Sequence, residues 1–376
     1  MPKPSKPLNK AIAEVIAKAA HPVASTTPTI RAARPGTGGI TLSDVARLAG
    51  VSAITVSRAL NTPDRVKPPT LARVRDAVAR TGYVPNLMAG GLASNRSRLV
   101  VALVPTIAGP VFLETIQALT DTLAQAGYQL ILGQSGYTGD REDALIDAVV
   151  GRRPDGIVLT GIMHSASGRK RLLASGIPVV ETWDLTPTPI DMLVGFSHEK
   201  VGEAVADYLV AKGYRYPAIV TADDYRASLR RKGLELRLKA LGIKRLPACV
   251  VSAPSNLANG RAGLADVLAR HPKTDVVFCS SDVLAHGVMT EAQARGLAMP
   301  QDISVLGFGD LPFAAHTHPA LSTVRIDGTA IGQQAACFII DRVDGRVNDR
   351  SASGTVPEHA LIQDIGFTLV ARGSTR

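Results

Sequence analysis

From Leu99 onward the chain repeats one unit: a short apolar run, then a helix-length stretch. The runs are LeuValValAlaLeuVal at 99–104, TyrGlnLeuIleLeu at 128–132, GlyIleValLeu at 156–159, IleProValVal at 177–180, AlaIleValThr at 218–221, AlaCysValVal at 248–251, AspValValPheCys at 275–279 and IleSerValLeuGlyPhe at 303–308. A helix at about 110–126 separates the first two. Strands buried on both faces read as continuous apolar runs, and parallel strands need helical crossovers between them. The rhythm restricts this region to a doubly wound α/β architecture. About ten strands over roughly 270 residues make two subdomains of it.

The first quarter has another period. Val45, Leu48 and Ala49 fall at i, i+3, i+4 behind a cap at Thr41 or Ser43, and Gly50 breaks that helix. Ser52 caps a second helix with Val56, Ala59 and Leu60 inward. A third runs from about Pro69 to Thr81, with Leu71, Val74, Ala77 and Val78 inward and Gly82 as its stop. Two short helices around a Gly-containing turn form a helix-turn-helix unit, whose second helix enters the major groove. On that helix Ala53, Ile54, Ser57 and Arg58 lie opposite the buried stripe. Arg58 is the long donor there, able to fork onto guanine O6 and N7. Ser52 and Thr55 suit phosphate or polar base contacts, and Ala53 and Ile54 suit a thymine methyl.

Charge follows the same division. The net charge is +10, and residues 1–39 hold six Lys/Arg against one acid. Residues 40–98 hold nine against three, and the remainder holds 27 against 28. A basic head for a polyanion and a neutral body for something else are implied. Residues 1–39, rich in Pro, Ala, Lys, Thr and Gly, read as a disordered basic tail with one short helix near Lys10–Ala20.

Other classes are disfavoured. Cys249, Cys279 and Cys337 are odd in number and far apart, which supports neither a disulfide framework nor a zinc site; reduced cysteines are expected. No apolar run approaches a membrane span, and Glu14 and Lys18 interrupt the stretch 11–20 as a signal peptide core. A cytoplasmic protein without a membrane partner follows. No GxSxG, P-loop or metal triad is present, and GlyGlnSerGlyTyrThrGly at 133–139 does not meet the dinucleotide fingerprint, so no enzyme, cofactor or metal is expected.

The segment 41–61 resembles the LacI family head, whose signature runs close to T-x-x-D-V-A-x-x-A-G-V-S-x-x-T-V-S-R-x-L-N. The resemblance continues at Tyr83, Pro85 and Asn86, and at Ala89 and Leu92, positions that open the family's hinge helix and wedge into the minor groove. Gly90 replaces the usual Arg, and with Gly91 it costs a helix roughly 2 kcal/mol, so a hinge that forms only on DNA is expected. The resemblance implies DNA contacts from Thr41, Ser52, Ala53, Ile54, Thr55, Ser57, Arg58, Asn61, Arg65, Asn86, Ala89 and Leu92.

The rest of the chain is similar to the family's effector domain, which looks like a periplasmic sugar-binding protein with two lobes closing on a ligand at strand carboxyl ends. SerSerAspValLeuAlaHisGly at 280–287 matches a motif whose Asp bonds ligand hydroxyls, giving Asp282 either that role or a helix cap. SerLeuArgArgLysGlyLeuGlu at 228–235 places Arg230 on the family's ligand-binding Arg. IleSerValLeuGlyPheGlyAsp at 303–310 carries Gly309 where the family has Asp, leaving Asp310 a structural role. Strand ends add Thr106, Tyr137, His164, Glu181, Trp183 and Asp184. The effector set is Thr106, Tyr137, His164, Trp183, Asp184, Arg230 and Asp282. ValGlyPhe at 194–196 resembles the gluconate-repressor branch, which points to a sugar acid such as gluconate or a ketogluconate.

The expected organisation is a disordered tail at 1–39, an all-α helix-turn-helix domain at 40–84, a hinge at 85–98 and a two-lobed periplasmic-binding-protein-like core at 99–376. Lobe 1 is expected at about 99–195 and 326–345, lobe 2 at about 196–325 and 346–376. The expected partners are double-stranded operator DNA, a small sugar or sugar acid, and a second copy in a homodimer. A sugar-binding protein of a transport system is the alternative, since the core alone would fit it.

Overall fold

The computed structural model describes residues 39–84, 96–107, 109–136, 139–163, 165–345 and 361–376. The expected tail up to residue 38 and the hinge from 85 to 95 lie outside these residues. Packing divides the chain into two units, Met1–Asn86 and Leu87–Arg376.

Among the described residues the first unit holds three α-helices: α1 (Leu42–Ala49), α2 (Ala53–Asn61) and α3 (Pro68–Thr81). Thr41 caps α1 reciprocally. Its Oγ1 accepts from Asp44 N at 3.3 Å, and the Asp44 carboxylate accepts from Thr41 N at 3.0 Å. Gly50 ends α1 at φ 63°, a left-handed conformation that glycine adopts without strain, and its N–H reaches back to carbonyls of the last turn. Ser52 caps α2, as expected, by accepting from Thr55 N. Pro68 at the first position of α3 needs no hydrogen-bond partner, and Gly82 closes that helix. The fully buried core is Val45, Ala46, Ala49, Val56, Ala59, Val74 and Ala77, with Leu60, Leu71 and Val78 packed half-buried against it. Leu48, expected inward, is exposed; Ala46 takes its place, because three helices meeting this closely leave room for a methyl group.

The second unit is built on two six-stranded sheets. The first contains β1 (Leu99–Val104), β2 (Gln129–Gln134), β3 (Gly156–Thr160), β4 (Val179–Thr182), β5 (Met192–Gly195) and β11 (Leu361–Asp364), in the order β2-β1-β3-β4-β5-β11, all parallel. The second contains β6 (Pro217–Ala222), β7 (Ala248–Val251), β8 (Val276–Cys279), β9 (Ser304–Gly309), β10 (Ser322–Arg325) and β12 (Thr368–Val370), in the order β7-β6-β8-β9-β10-β12. Only β12 runs antiparallel there. Helices α4 (Leu113–Gln125), α5 (Gly139–Val150), α6 (Ala166–Ser175), α7 (His198–Ala211), α8 (Tyr225–Ala240), α9 (Leu257–Arg270), α10 (Asp282–Ala294) and α11 (Gly328–Val343) make the crossovers.

The expected doubly wound, two-lobed core is what forms, with one correction. Residues 361–364 pair with β5, Leu361 opposite Met192, and so complete the first sheet and not the second. The third crossing between lobes, expected at 345–346, falls instead at 365–367, before β12 joins β10. Strand β4 lies two residues later than the apolar run at 177–180, because Pro178 cannot donate within a central strand.

Helices α7 and α8 cross at a glycine pair. A Cβ on Gly202 would stand 2.1 Å from the carbonyl oxygen of Arg230, and one on Gly233 would stand 2.2 Å from that of Glu199. Only hydrogen side chains allow this approach. It brings the start of α7, with His198, against Arg230 on α8.

Candidate functional site

On the head, α2 presents a solvent-facing edge. Ile54 is 64% exposed, a large apolar side chain with nothing of its own unit to cover it. Arg58, Asn61 and Arg65 are exposed and Ser57 is half-buried. The Asn61 amide donates to Ser57 Oγ at 3.3 Å, which steadies that edge. Ser52 and Thr55 share a hydroxyl contact of 2.9 Å at the helix N-terminus, where free backbone N–H groups favour a phosphate. Thr41 is exposed as the α1 cap. Ala53 differs from expectation: it packs half-buried against the head core, the first helical turn being tucked under α1. Arg47 and Arg80 are paired with Asp44 and Asp76. Arg58, Arg65, Lys67, Arg73 and Arg75 carry no ion pair among the described residues, a positive surface available to a polyanion. Asn86, Ala89 and Leu92 lie outside the described residues.

In the second unit the carboxyl ends of β1, β4, β6, β8 and β9 converge on a cavity of about 90 Å³. Thr106, Trp183 and Arg230 line it, as the sequence led one to expect. Trp183 is the single tryptophan of the chain. It is buried, with its backbone at φ 65°, a strained conformation for a residue with a side chain. Its indole Nε1–H donates to Thr115 Oγ1 at 3.1 Å, and its ring meets Phe112 and Phe196 edge-on.

Arg230 is 5% exposed. Its guanidinium lies 4.0 Å from the Phe308 ring centroid, donates from Nη1 to His198 Nδ1 at 2.9 Å and from Nη2 to the Ser280 carbonyl at 3.1 Å. Among the described residues the Nε–H has no acceptor and no ion pair joins the guanidinium to a carboxylate, although Asp224 and Asp184 act on it electrostatically. Burial brings its pKa down to about 10. Burying a charge costs several kcal/mol unless a counter-charge joins it. A second guanidinium, Arg226, lines the same cavity and stacks 5.1 Å from Phe112. The acid among the lining residues is Asp224, which caps α8 by accepting from Ala227 N.

Two expected effector residues sit elsewhere. Asp184 lines an adjoining hollow of about 310 Å³ that shares Asp224 and Arg226 with the cavity. Asp282 does not line the cavity. One of its oxygens accepts from Thr323 Oγ1 at 2.6 Å and the other from Leu311 N at 2.7 Å, so it ties α10 to β10 and to the loop after β9. It is not a cap either, since Ser281 caps α10. Burial lifts its carboxyl up to about 6. Tyr137 and His164 lie outside the described residues. Glu181 is buried, its carboxylate accepting from Met163 N and Ile190 N, a structural post. Asp310 is held by Arg325 and Arg372, in keeping with the structural role expected for it.

Sequence reasoning missed His198, Phe112, Phe308, Ser280 and Arg226. His198 follows β5 by the same logic that found Trp183 after β4, but 192–195 was not read as a strand. Among the described residues no group of three or more His, Cys, Asp or Glu is placed to hold a metal ion, and no helix is long and apolar enough to cross a membrane.

Residues 41–86 match the profile of bacterial regulatory proteins of the lacI family, and residues 206–375 match the periplasmic binding protein-like domain. The chain is 39% identical over 341 residues to the HTH-type transcriptional regulator GntR of Pseudomonas aeruginosa, covering 90% of this chain and 96% of that one. A crystal structure of a LacI-family transcriptional regulator from Silicibacter pomeroyi superposes with a TM-score of 0.82 at 31% identity, over 89% of this chain and 99% of that one. The lac repressor dimer bound to operator and the anti-inducer ONPF shares the fold, with a TM-score of 0.74 at 24% identity over 90% of this chain and 99% of that one.

Proposed function

This chain belongs to the LacI family and is a DNA-binding transcriptional regulator, and from that premise we propose that it is a cytoplasmic, homodimeric repressor controlled by a small sugar acid. The observation that carries the effector assignment is Arg230: a buried guanidinium on the cavity wall, with no paired carboxylate and one N–H without an acceptor among the described residues. A ligand carboxylate supplies both missing partners. Gluconate and ketogluconates fit that description, in keeping with a relative that bears the GntR name. Thr106 and Trp183 complete the wall, and Asp184, Tyr137 and His164 remain as sequence-based candidates. Ile54 and Arg58 read base edges, Thr41, Ser52, Thr55, Ser57, Asn61 and Arg65 hold phosphates, Ala53 supplies apolar backing, and Asn86, Ala89 and Leu92 form the hinge contact.

The mechanism is a population shift. Ligand favours one relative setting of the lobes, which changes the spacing of the two heads of a dimer, and half-sites one helical turn apart (~34–36 Å) bind tightly only when both heads are in register. Two measurements test this. A salt-dependent gel shift on palindromic operator DNA is expected, and its loss on adding gluconate or a ketogluconate identifies the effector. Arg230→Ala is expected to leave operator binding unchanged and to weaken that response about 10- to 100-fold. An unaltered titration counts against the cavity as effector site.

A further inference from the structure

His198 opens α7 just beyond β5 and is 2% exposed. Both ring nitrogens face partners of fixed sense. Nε2 lies 2.9 Å from the carbonyl oxygen of Trp183, which only accepts, so Nε2 carries the proton. Nδ1 lies 2.9 Å from Nη1 of Arg230, which only donates, so Nδ1 is a bare acceptor. No imidazolium satisfies both contacts, because a second proton would sit between two nitrogen donors and place two cations side by side. The surroundings agree. Phe196 and Phe308 pack against the ring at 4.6 Å and 6.3 Å between centroids. The charged groups nearby are Arg230 and Arg226 from α8, with Asp224 at that helix's cap and Asp184 after β4. Burial, then the two guanidiniums, hold the imidazole well below its ordinary pKa.

A buried arginine is ordinarily matched by a carboxylate. Here its side-chain partner is a neutral ring. His198 and Phe308 fix the plane of the guanidinium, and the Gly202–Gly233 crossing sets their distance, yet none of them neutralises its charge.

Resting on the reading of this cavity as the effector site, we propose that His198 is its specificity-determining residue. As a neutral acceptor it orients Arg230 without cancelling it, which reserves the guanidinium for a carboxylate of the ligand. Polyhydroxy carboxylates are accepted and their neutral counterparts are refused. An acidic residue at this position would satisfy Arg230 internally and favour neutral sugars.

The test is calorimetry on the full-length protein with D-gluconate, 2-ketogluconate, D-glucose, D-sorbitol and D-glucose 6-phosphate. At least one acid is expected to bind at least tenfold tighter than glucose or sorbitol. Equal or tighter binding of a neutral compound overturns the proposal and leaves the regulator reading intact. Binding of the phosphate ester alone overturns the carboxylate assignment. No binding by any compound overturns the effector reading and this proposal with it. Two variants separate positioning from mere packing. His198→Gln keeps a donor for the Trp183 carbonyl and removes the acceptor for Arg230, so acid affinity is expected to fall about 10- to 100-fold. His198→Asn puts Oδ1 where Nδ1 stood and is expected to stay within a few-fold of wild type. The reverse order would assign the effect to the Trp183 contact and overturn the proposal. Nitrogen-15 histidine NMR at pH 6, where an ordinary imidazole is mostly charged, is expected to show His198 neutral with Nε2 protonated. A charged ring there overturns it.

Discussion

The head and the core use opposite strategies to place a functional side chain. In the head each one lies within a turn or two of the residue that positions it: Ser52 caps the helix that carries Ile54 and Arg58, and Val56 and Ala59 anchor its inner face. In the core, Thr106, Trp183, His198, Arg230, Ser280 and Phe308 come from six separate strand ends or helix starts. A site of the first kind is specified by local spacing. A site of the second kind exists only once two sheets and their crossovers have formed, and its geometry is set by close packing between elements far apart in the chain.

The largest effect should come from breaking such packing. Gly202→Val places a branched side chain where even a Cβ meets the Arg230 carbonyl at 2.1 Å and Leu234 N at 2.5 Å, both backbone atoms. Overpacking of this kind costs roughly 3 kcal/mol or more. The thermal transition followed by Trp183 fluorescence is expected to fall by about 5 °C or more, with effector binding lost even where the core is folded. Retained effector affinity would break the comparison, because it would mean that the cavity does not depend on the α7–α8 crossing.

Next in size is Arg58→Ala, which acts within one helix of the head. Loss of a forked base contact is worth ~1–3 kcal/mol, so specific operator binding is expected to fall by one to two orders of magnitude in a gel shift. Effector affinity by calorimetry should not change. Equal loss of both would signal misfolding instead of lost recognition.

Asp282 shows why the core site was less legible. Its sequence context, a Ser-Ser-Asp after a buried strand, reads as a ligand acceptor first and a helix cap second. The choice depended on Thr323, forty-one residues away, and on the Leu311 amide. By contrast α1 and α2 carry the N-caps expected of them and α3 the expected Gly82 stop, since cap, stripe and stop lie on one short segment. Strands β10, β11 and β12 hold at most two consecutive apolar residues each, too short a run to stand out. Arg230 was found through its spacing to Gly233, and His198 was not, because its role exists only beside Arg230.

The burial of Asp282 gives a pH test of the same contrast. Its carboxyl titrates at about 6 in the fold and near its ordinary 3.8 when unfolded. Between those values the folded core binds a proton that the unfolded chain does not. That contribution is full below about pH 4 and is lost as pH rises through about 6. Asp282→Asn removes it. Relative to wild type, the variant is expected to gain on the order of 2 kcal/mol of core stability from pH 4.5 to 7 in urea unfolding. A difference that is flat with pH would mean that the carboxyl titrates normally. Operator binding by the head should follow neither curve.

The smallest effect expected is also the most local. Thr41→Ala removes the cap on which Asp44 N and the Asp44 carboxylate both converge, costing about 1 kcal/mol. The Asp44 carboxylate keeps its contacts with Thr41 N and Arg47, so two of its three supports survive and the loss stays small. Amide exchange across 44–49 is expected to speed up about fivefold, while amides of β1, β6 and β8 exchange as before. Thr41→Ser should restore the slower rate, because the hydroxyl and not the methyl makes the contact. If protection in the core fell together with that of α1, the two units would unfold as one, and the division between a locally specified head and a globally specified core would describe the sequence but not the energetics.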